Sequence, residues 1–160
     1  MIYPTTDLCD AHEGKLRVAA PIFRSYGGKT AFHGRVATLK LFEDNGLVRQ
    51  TLDTPGEDRV LVIDGGGSLR CALLGDQLAA LAVKNGWAGV VVWGCIRDSQ
   101  AIAAMAIGVF ALATHPQKTV KKNLGDADVP VSCAGIEFRP DDWLYADADG
   151  LIVSAARLHP

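Results

Sequence analysis

The sequence predicts a layered α/β or β/β/α fold in a single domain, residues 1–160, and three observations carry that expectation. Arg59-Val60-Leu61-Val62-Ile63-Asp64 and Gly89-Val90-Val91-Val92-Trp93-Gly94 are continuous, largely β-branched runs, the pattern of strands buried on both faces. Between them Leu78, Leu81 and Ala82 fall at helical spacing within Asp76 to Asn85, so a helix connects the two strands. Finally, 160 residues, 49% hydrophobic and 21% charged, suffice for one core and leave little for a second domain.

The elements follow in order. Asp7 to Glu13 begins a short helix, and Ala19-Ala20-Pro21-Ile22-Phe23 is extended because the residue before a proline avoids helical angles. Gly34 to Phe42 alternates around Val36, Thr38 and Leu39 as a strand; Asp44-Asn45-Gly46 has turn chemistry, and Leu47 to Leu52 resumes as a strand. Pro55-Gly56 turns the chain into the Arg59–Asp64 run, which Gly65-Gly66-Gly67 bounds. A helix starts at Gly75-Asp76 and stops at Gly86. Beyond the Gly89–Gly94 run, Ser99 to Ala106 forms a second short helix and Val109 to Ala113 a third strand, so the middle of the chain reads β-α-β-α-β. Val129 to Ala134, Ile136 to Phe138 and Leu151 to Ser154 add strands, with Asp147-Ala148-Asp149-Gly150 as a turn.

Composition narrows the function classes. A net charge of -2 and a pI near 6.0 give none of the basic footprint by which nucleic-acid binders displace counterions, so direct RNA binding is disfavoured. Cys9, Cys71, Cys95 and Cys133 are irregularly spaced, without a C-x-x-C pair, and read as reduced thiols. Met1 to Asp10 lacks the positive charge and apolar run of a signal peptide, and no stretch reaches the roughly 18 to 20 apolar residues of a membrane span. A cytoplasmic location is expected.

The chemistry concentrates at two strand exits, one leading through the glycines to Gly75-Asp76-Gln77-Leu78, the other to Arg97-Asp98. If the two strands are parallel neighbours, both exits open on the side where ligands of open α/β sheets bind. A helix N-terminus offers the unpaired amides of Gln77 and Leu78 to a carboxylate. Arg97 presents a planar, permanently charged fork for a carboxylate or an enolate oxygen. Asp98 is a hard oxygen ligand for Mg²⁺ or Mn²⁺, and Asp76 can orient a water for proton transfer. Each also has a plainer reading: Asp76 as a helix N-cap, Arg97 and Asp98 as a solvated pair or another cap, and the three glycines as a tight backbone passage, since no phosphate-loop motif is present.

A longer stretch goes further. Gly65-Gly66-Gly67-Ser68-Leu69-Arg70-Cys71-Ala72-Leu73-Leu74-Gly75-Asp76, then Gly86 to Gly94, then Ile96-Arg97-Asp98 resembles the signature of the regulator of ribonuclease activity A (RraA) family. Thr6 to Asp10, Phe42 to Asn45, Thr114 to Pro116 and Tyr145 to Asp147 extend the resemblance over nearly the whole chain. Family members similar to 4-hydroxy-4-methyl-2-oxoglutarate aldolases, which also decarboxylate oxaloacetate, carry an Asp followed after twenty residues by Arg-Asp; residues 77 to 96 fill that gap here. The resemblance implies a β/β/α swivelling-type domain, a homotrimer or a hexamer with active sites near subunit interfaces, and a divalent cation, Mg²⁺ or Mn²⁺. It also implies roles: Gly75, Asp76, Gln77 and Leu78 bind the pyruvate part of a small 2-oxo acid, Arg97 binds substrate and stabilises the enolate, Asp76 and Arg97 are catalytic, and Asp98 is the metal ligand. The longer aldolases have additional C-terminal sequence that can supply acids near the metal; with the chain ending at Pro160, Asp98 is the one assigned ligand, with Glu13, Glu43 or Asp44 of a neighbouring subunit as candidate helpers.

Two other functions stand beside the lyase: a trimeric regulator that binds and inhibits an endoribonuclease, and methylation of a quinone precursor, which only the Gly65–Gly67 loop supports. Among remaining residues, His12, His33, His115 and His159 form no zinc pattern, and Cys95 reads as a buried thiol. Arg70 suits either a second substrate carboxylate or an acid across a trimer interface, and Lys118, Lys121 and Lys122 read as a solvated basic face.

Overall fold

The computed structural model describes residues 1–160. The first half of the chain forms α1 (Thr5–Ala11), β1 (Arg17–Val18), β2 (Arg24–Ser25), β3 (Phe32–Lys40), α2 (Gly46–Leu52), β4 (Val60–Asp64) and β5 (Ala72–Leu74). The second half forms α3 (Asp76–Lys84), β6 (Gly89–Ile96), α4 (Ser99–Ala103), β7 (Gly108–Thr114), β8 (Asp126–Ala127), β9 (Val131–Cys133), β10 (Ile136–Phe138), β11 (Trp143–Asp147) and β12 (Gly150–Ser154).

Because successive side chains on a strand face opposite ways, the apolar runs must bury two faces, and they separate two cores. Leu61, Ile63, Val90 and Val92 face one side, where they meet Val48 and Leu52 of α2, Leu78 and Ala82 of α3, and Ile102 of α4. Val60, Val62 and Val91 face the other, against Val131, Phe138, Leu144, Leu151 and Val153. The layers are thus β, β and α, as expected. The main sheet runs β1-β12-β11-β3-β4-β6-β7-β2, with β3, β4, β6 and β7 parallel at its centre. β9 and β10 form a separate hairpin.

Several expectations need correction. Leu47 to Leu52 is helix, not strand: Asp44 Oδ1 accepts the Gly46 amide at 2.9 Å and starts a helical turn, after which Val48 and Leu52, four residues apart, bury one face. α1 begins at Thr5 rather than Asp7 because the distant Asp147 carboxylate takes both the Thr5 amide and hydroxyl at 2.7 Å. The second helix ends at Ala103, short of Ala106. β1, β2, β5, β8 and β11 were not anticipated; all but β11 are three residues or fewer and exist only through their sheet partners. No helix is long and apolar enough to cross a membrane.

Candidate active site

Strand register brings the two exits together. β4 pairs in parallel with the first half of β6, Val60 to Asp64 opposite Gly89 to Trp93. The chain then leaves through the glycines, and β5 takes over the same edge of β6, with Ala72 opposite Cys95 and Leu74 opposite Ile96. The two strands therefore end side by side, and the Arg97 amide donates to the Leu74 carbonyl at 2.9 Å. Between them, Gly66 and Gly67 adopt φ of 69° and 70°, values that favour glycine. Their amides, with that of Gly65, are spent on Asp64 Oδ1 and the Trp93 carbonyl, so the loop is the tight passage and no phosphate cradle.

Asp98 sits in left-handed backbone (φ 57°, ψ 40°) at the head of α4, yet does not cap that helix. Its Oδ2 instead accepts the Asp76 amide at 3.1 Å, placing the carboxylate at the N-terminus of α3, where the helix dipole favours negative charge. Oδ1 accepts no hydrogen bond from the chain. Gly75, in extended backbone, is the residue preceding α3, so Asp76 is the first helical residue and not the N-cap. The Asp76 Oδ1 takes the Gln77 amide at 2.8 Å, which corrects one expectation: of the Gln77 and Leu78 amides, only that of Leu78 remains for a ligand.

Arg97 is half-buried, and its guanidinium pairs with no carboxylate; the four ion pairs of the structure use Arg17, Arg35, Arg70 and Arg139. Its fork is open. A Cβ on Gly75 would lie 2.9 Å from Asp98 Oδ2 and 3.4 Å from Arg97 Cγ and Nε, so the missing side chain is what lets these two groups close on the helix end. Gly75, Asp76, Gln77, Leu78, Arg97 and Asp98 all border one cleft of about 130 Å³, far below the roughly 300–1,000 Å³ of sites for drug-sized ligands and suited to a small metabolite.

The sequence profile of a known family, RraA-like and described as Aldolase/RraA, matches residues 5–153. The chain belongs to the Aldolase/RraA family. A relative from Alkalilimnicola ehrlichii, provisionally named a 4-hydroxy-4-methyl-2-oxoglutarate aldolase, is 61% identical over 154 residues, 96% of each chain. One from Aromatoleum aromaticum, with the same provisional name, is 58% identical over 158 residues, 99% of each. Among solved structures, the RNA-processing inhibitor RraA from Thermus thermophilis superposes with a TM-score of 0.93 at 46% identity, covering 97% of this chain and 94% of that one. A Geobacillus kaustophilus protein described as an S-adenosylmethionine:2-dimethylmenaquinone methyltransferase gives 0.96 at 49% identity, covering 98% and 97%.

In this family member Glu43 and Asp44 are bonded within the chain. Glu43 accepts from Arg70 Nη2 and Nε at 2.5 and 2.9 Å and from Ser68 Oγ at 3.1 Å, and the Arg70 guanidinium holds its carboxyl below the usual range. Within its own chain Arg70 thus pairs with Glu43. Asp44 is 5% exposed and accepts the Gly46, Lys122 and Leu124 amides, and none of Glu13, Glu43 and Asp44 borders the cleft of its own chain. No group of three or more His, Cys, Asp or Glu side chains gathers anywhere, which does not fit zinc. One exposed carboxylate with a free oxygen does fit Mg²⁺ or Mn²⁺, whose shells keep several waters and substrate oxygens.

All four cysteines are unpaired; burial pushes the Cys95 thiol up, as it does Cys133, to about 12, in keeping with inert thiols. Sequence reasoning did not place four polar residues in this cleft: Asn45, Arg49, Lys118 and Lys121. The two lysines are exposed, as a solvated face would be, and they also border the cleft, since the Ala72 amide bonds to the Gln117 carbonyl at 2.8 Å and holds their segment beside β5. The signal for Arg49 was the Val48/Leu52 spacing.

Proposed function

We propose that this chain is a divalent-metal-dependent lyase that cleaves 4-hydroxy-4-methyl-2-oxoglutarate into two pyruvates and decarboxylates oxaloacetate at the same cleft. The observation that carries the reading is the convergence of Asp76, Arg97 and Asp98 around Gly75 at the end of α3. The names of the relatives support it.

The roles follow from position. The substrate's C1 carboxylate takes the Leu78 amide and the positive end of the helix. Arg97 directs its fork at the 2-oxo oxygen, where negative charge accumulates as the C3–C4 bond breaks and the pyruvate enolate forms. Mg²⁺ or Mn²⁺ held by Asp98 would polarise the substrate's carboxylate and 2-oxo oxygens. Asp76, the second carboxylate of the cleft, accepts the 4-hydroxyl proton through a water and returns it to C3, so that proton uptake and release balance. Oxaloacetate loses carbon dioxide to the same enolate, and C3 then takes its proton from water.

Phe42, Val120 and Leu124 are 57%, 75% and 64% exposed along a depression beside the cleft, which supports assembly as a homotrimer, or a hexamer built from it, with subunits meeting near the site. Four unpaired cysteines support a cytoplasmic location. A second reading, a regulator that binds an endoribonuclease, draws on the likeness to the Thermus inhibitor.

The test couples pyruvate release from both substrates to lactate dehydrogenase, with Mg²⁺ and with EDTA. Turnover should require the metal, and Arg97→Ala or Asp98→Ala should each lower kcat by roughly 10²–10³-fold with the oligomer intact. Absence of pyruvate under every condition, together with inhibition of an endoribonuclease, would establish the regulator instead.

A further inference from the structure

We infer that Arg49, with Lys121 and Lys118, binds the second carboxylate of the substrate and thereby selects dicarboxylic over monocarboxylic 2-oxo acids; the inference rests on the lyase reading above. The cleft is unbalanced in charge: Arg49, Arg97, Lys118 and Lys121 line it against only Asp76 and Asp98. The two carboxylates are already engaged by backbone amides, and none of the four cations belongs to an ion pair. Like charges gathered in one small cleft repel unless anions join them, and a divalent cation on Asp98 would add to the positive surplus, so the cleft favours a substrate with more than one negative charge. One 2-oxo acid carboxylate is provided for at the end of α3, beside Arg97. Arg49 comes from α2, Lys118 and Lys121 come from the segment after β7, and none of the three is in an ion pair.

The three are also held in place. Asn45, directly before α2, exchanges hydrogen bonds with Thr119: its amide donates to Thr119 Oγ1 at 3.3 Å and its Oδ1 accepts from the same hydroxyl at 2.8 Å. Asn45 Nδ2 donates to the Leu73 carbonyl of β5 at 3.3 Å. Asp44 accepts the Lys122 and Leu124 amides at 2.9 and 3.0 Å. These bonds fasten the segment carrying Lys118 and Lys121 to the helix carrying Arg49 and both to β5, which ends just before Gly75. The cations therefore face the catalytic groups across a fixed span, although their side chains are exposed.

Selectivity is the measurable consequence. With Mg²⁺ present, kcat/KM for oxaloacetate is compared with the rate of methyl-proton exchange of pyruvate, a monocarboxylate that needs only enolisation, in wild type and in Arg49→Ala, Arg49→Lys, Lys121→Ala and Lys84→Ala. Arg49→Ala and Lys121→Ala should lower kcat/KM for oxaloacetate about tenfold or more, chiefly through KM, and slow pyruvate exchange at least several-fold less. Arg49→Lys should recover part of the loss, and Lys84→Ala, an equal change of charge at the far end of α3, should alter neither rate. Equal losses on the two substrates, or none, in a folded variant of an active enzyme would overturn the inference while sparing the lyase. A wild type inactive on both substrates would end the lyase reading and this inference with it.

Discussion

Gly75 lacks a side chain because Asp98 and Arg97 occupy the space one would need. Its φ of -123° is accessible to any residue, so Gly75→Ala tests crowding and not backbone strain. The substitution should leave the far-UV spectrum and the melting temperature within a few degrees of wild type while lowering kcat/KM about tenfold or more, because both side chains must give way from the helix end. Normal activity in Gly75→Ala would show that the closeness of Asp98 to the Asp76 amide does not matter. At this scale the letters were informative about chemistry: two acids, at 76 and 98, and a permanently charged cation at 97 are legible in the sequence. What a side chain was bonded to could not be named. Arg70 pairs with Glu43 of its own chain, and Asp98, a candidate cap for its own helix, accepts the Asp76 amide at the start of α3.

At the scale of elements, α2 is where local pattern misled and tertiary contact decided. Leu47 to Leu52 has the composition of a strand, but the Asp44 carboxylate turns the backbone at Gly46 and simultaneously anchors residues 122 to 124. Burial alone would push the Asp44 carboxyl up, but the amides of Gly46, Leu124, Lys122 and Asn123 outweigh it and hold the group below its usual value. Asp44→Asn should therefore cost about 2–3 kcal/mol in urea denaturation and loosen the lysine-bearing segment. The pH dependence has a definite sign. Because the folded carboxyl titrates below the unfolded one, its contribution is complete above the unfolded pKa of about 3.9 and disappears as pH falls through the depressed folded value. Stability of the wild type should decline below about pH 4, and the decline should be shallower in Asp44→Asn; parallel curves would show that another carboxylate dominates. Asp147, where burial is likewise outweighed by hydrogen bonds from Thr5, Asp149 and Gly150, adds in the same direction in both proteins.

For the whole molecule, two cores on either side of one sheet leave the residues just past the ends of β5 and β6, Gly75 to Gln77 and Arg97-Asp98, partly open to solvent beside uncovered apolar side chains. If subunits meet there, Leu124→Asp should shift the sedimentation profile from trimer toward monomer and reduce turnover together; an unchanged mass would remove this surface from the assembly. Sequence by itself determined the layered α/β class, the β-α-β-α-β centre, the two strand exits and the chemical character of the residues at them. Periodicity and residue chemistry are local properties, and those conclusions needed nothing else. Only the tertiary structure decided that β5 replaces β4 on the edge of β6, that α2 is helical, and that Arg49, Lys118 and Lys121 share a cleft with Asp76, Arg97 and Asp98. Those facts depend on strand register and on hydrogen bonds between segments far apart in the chain, whose energies exist only once the chain has folded.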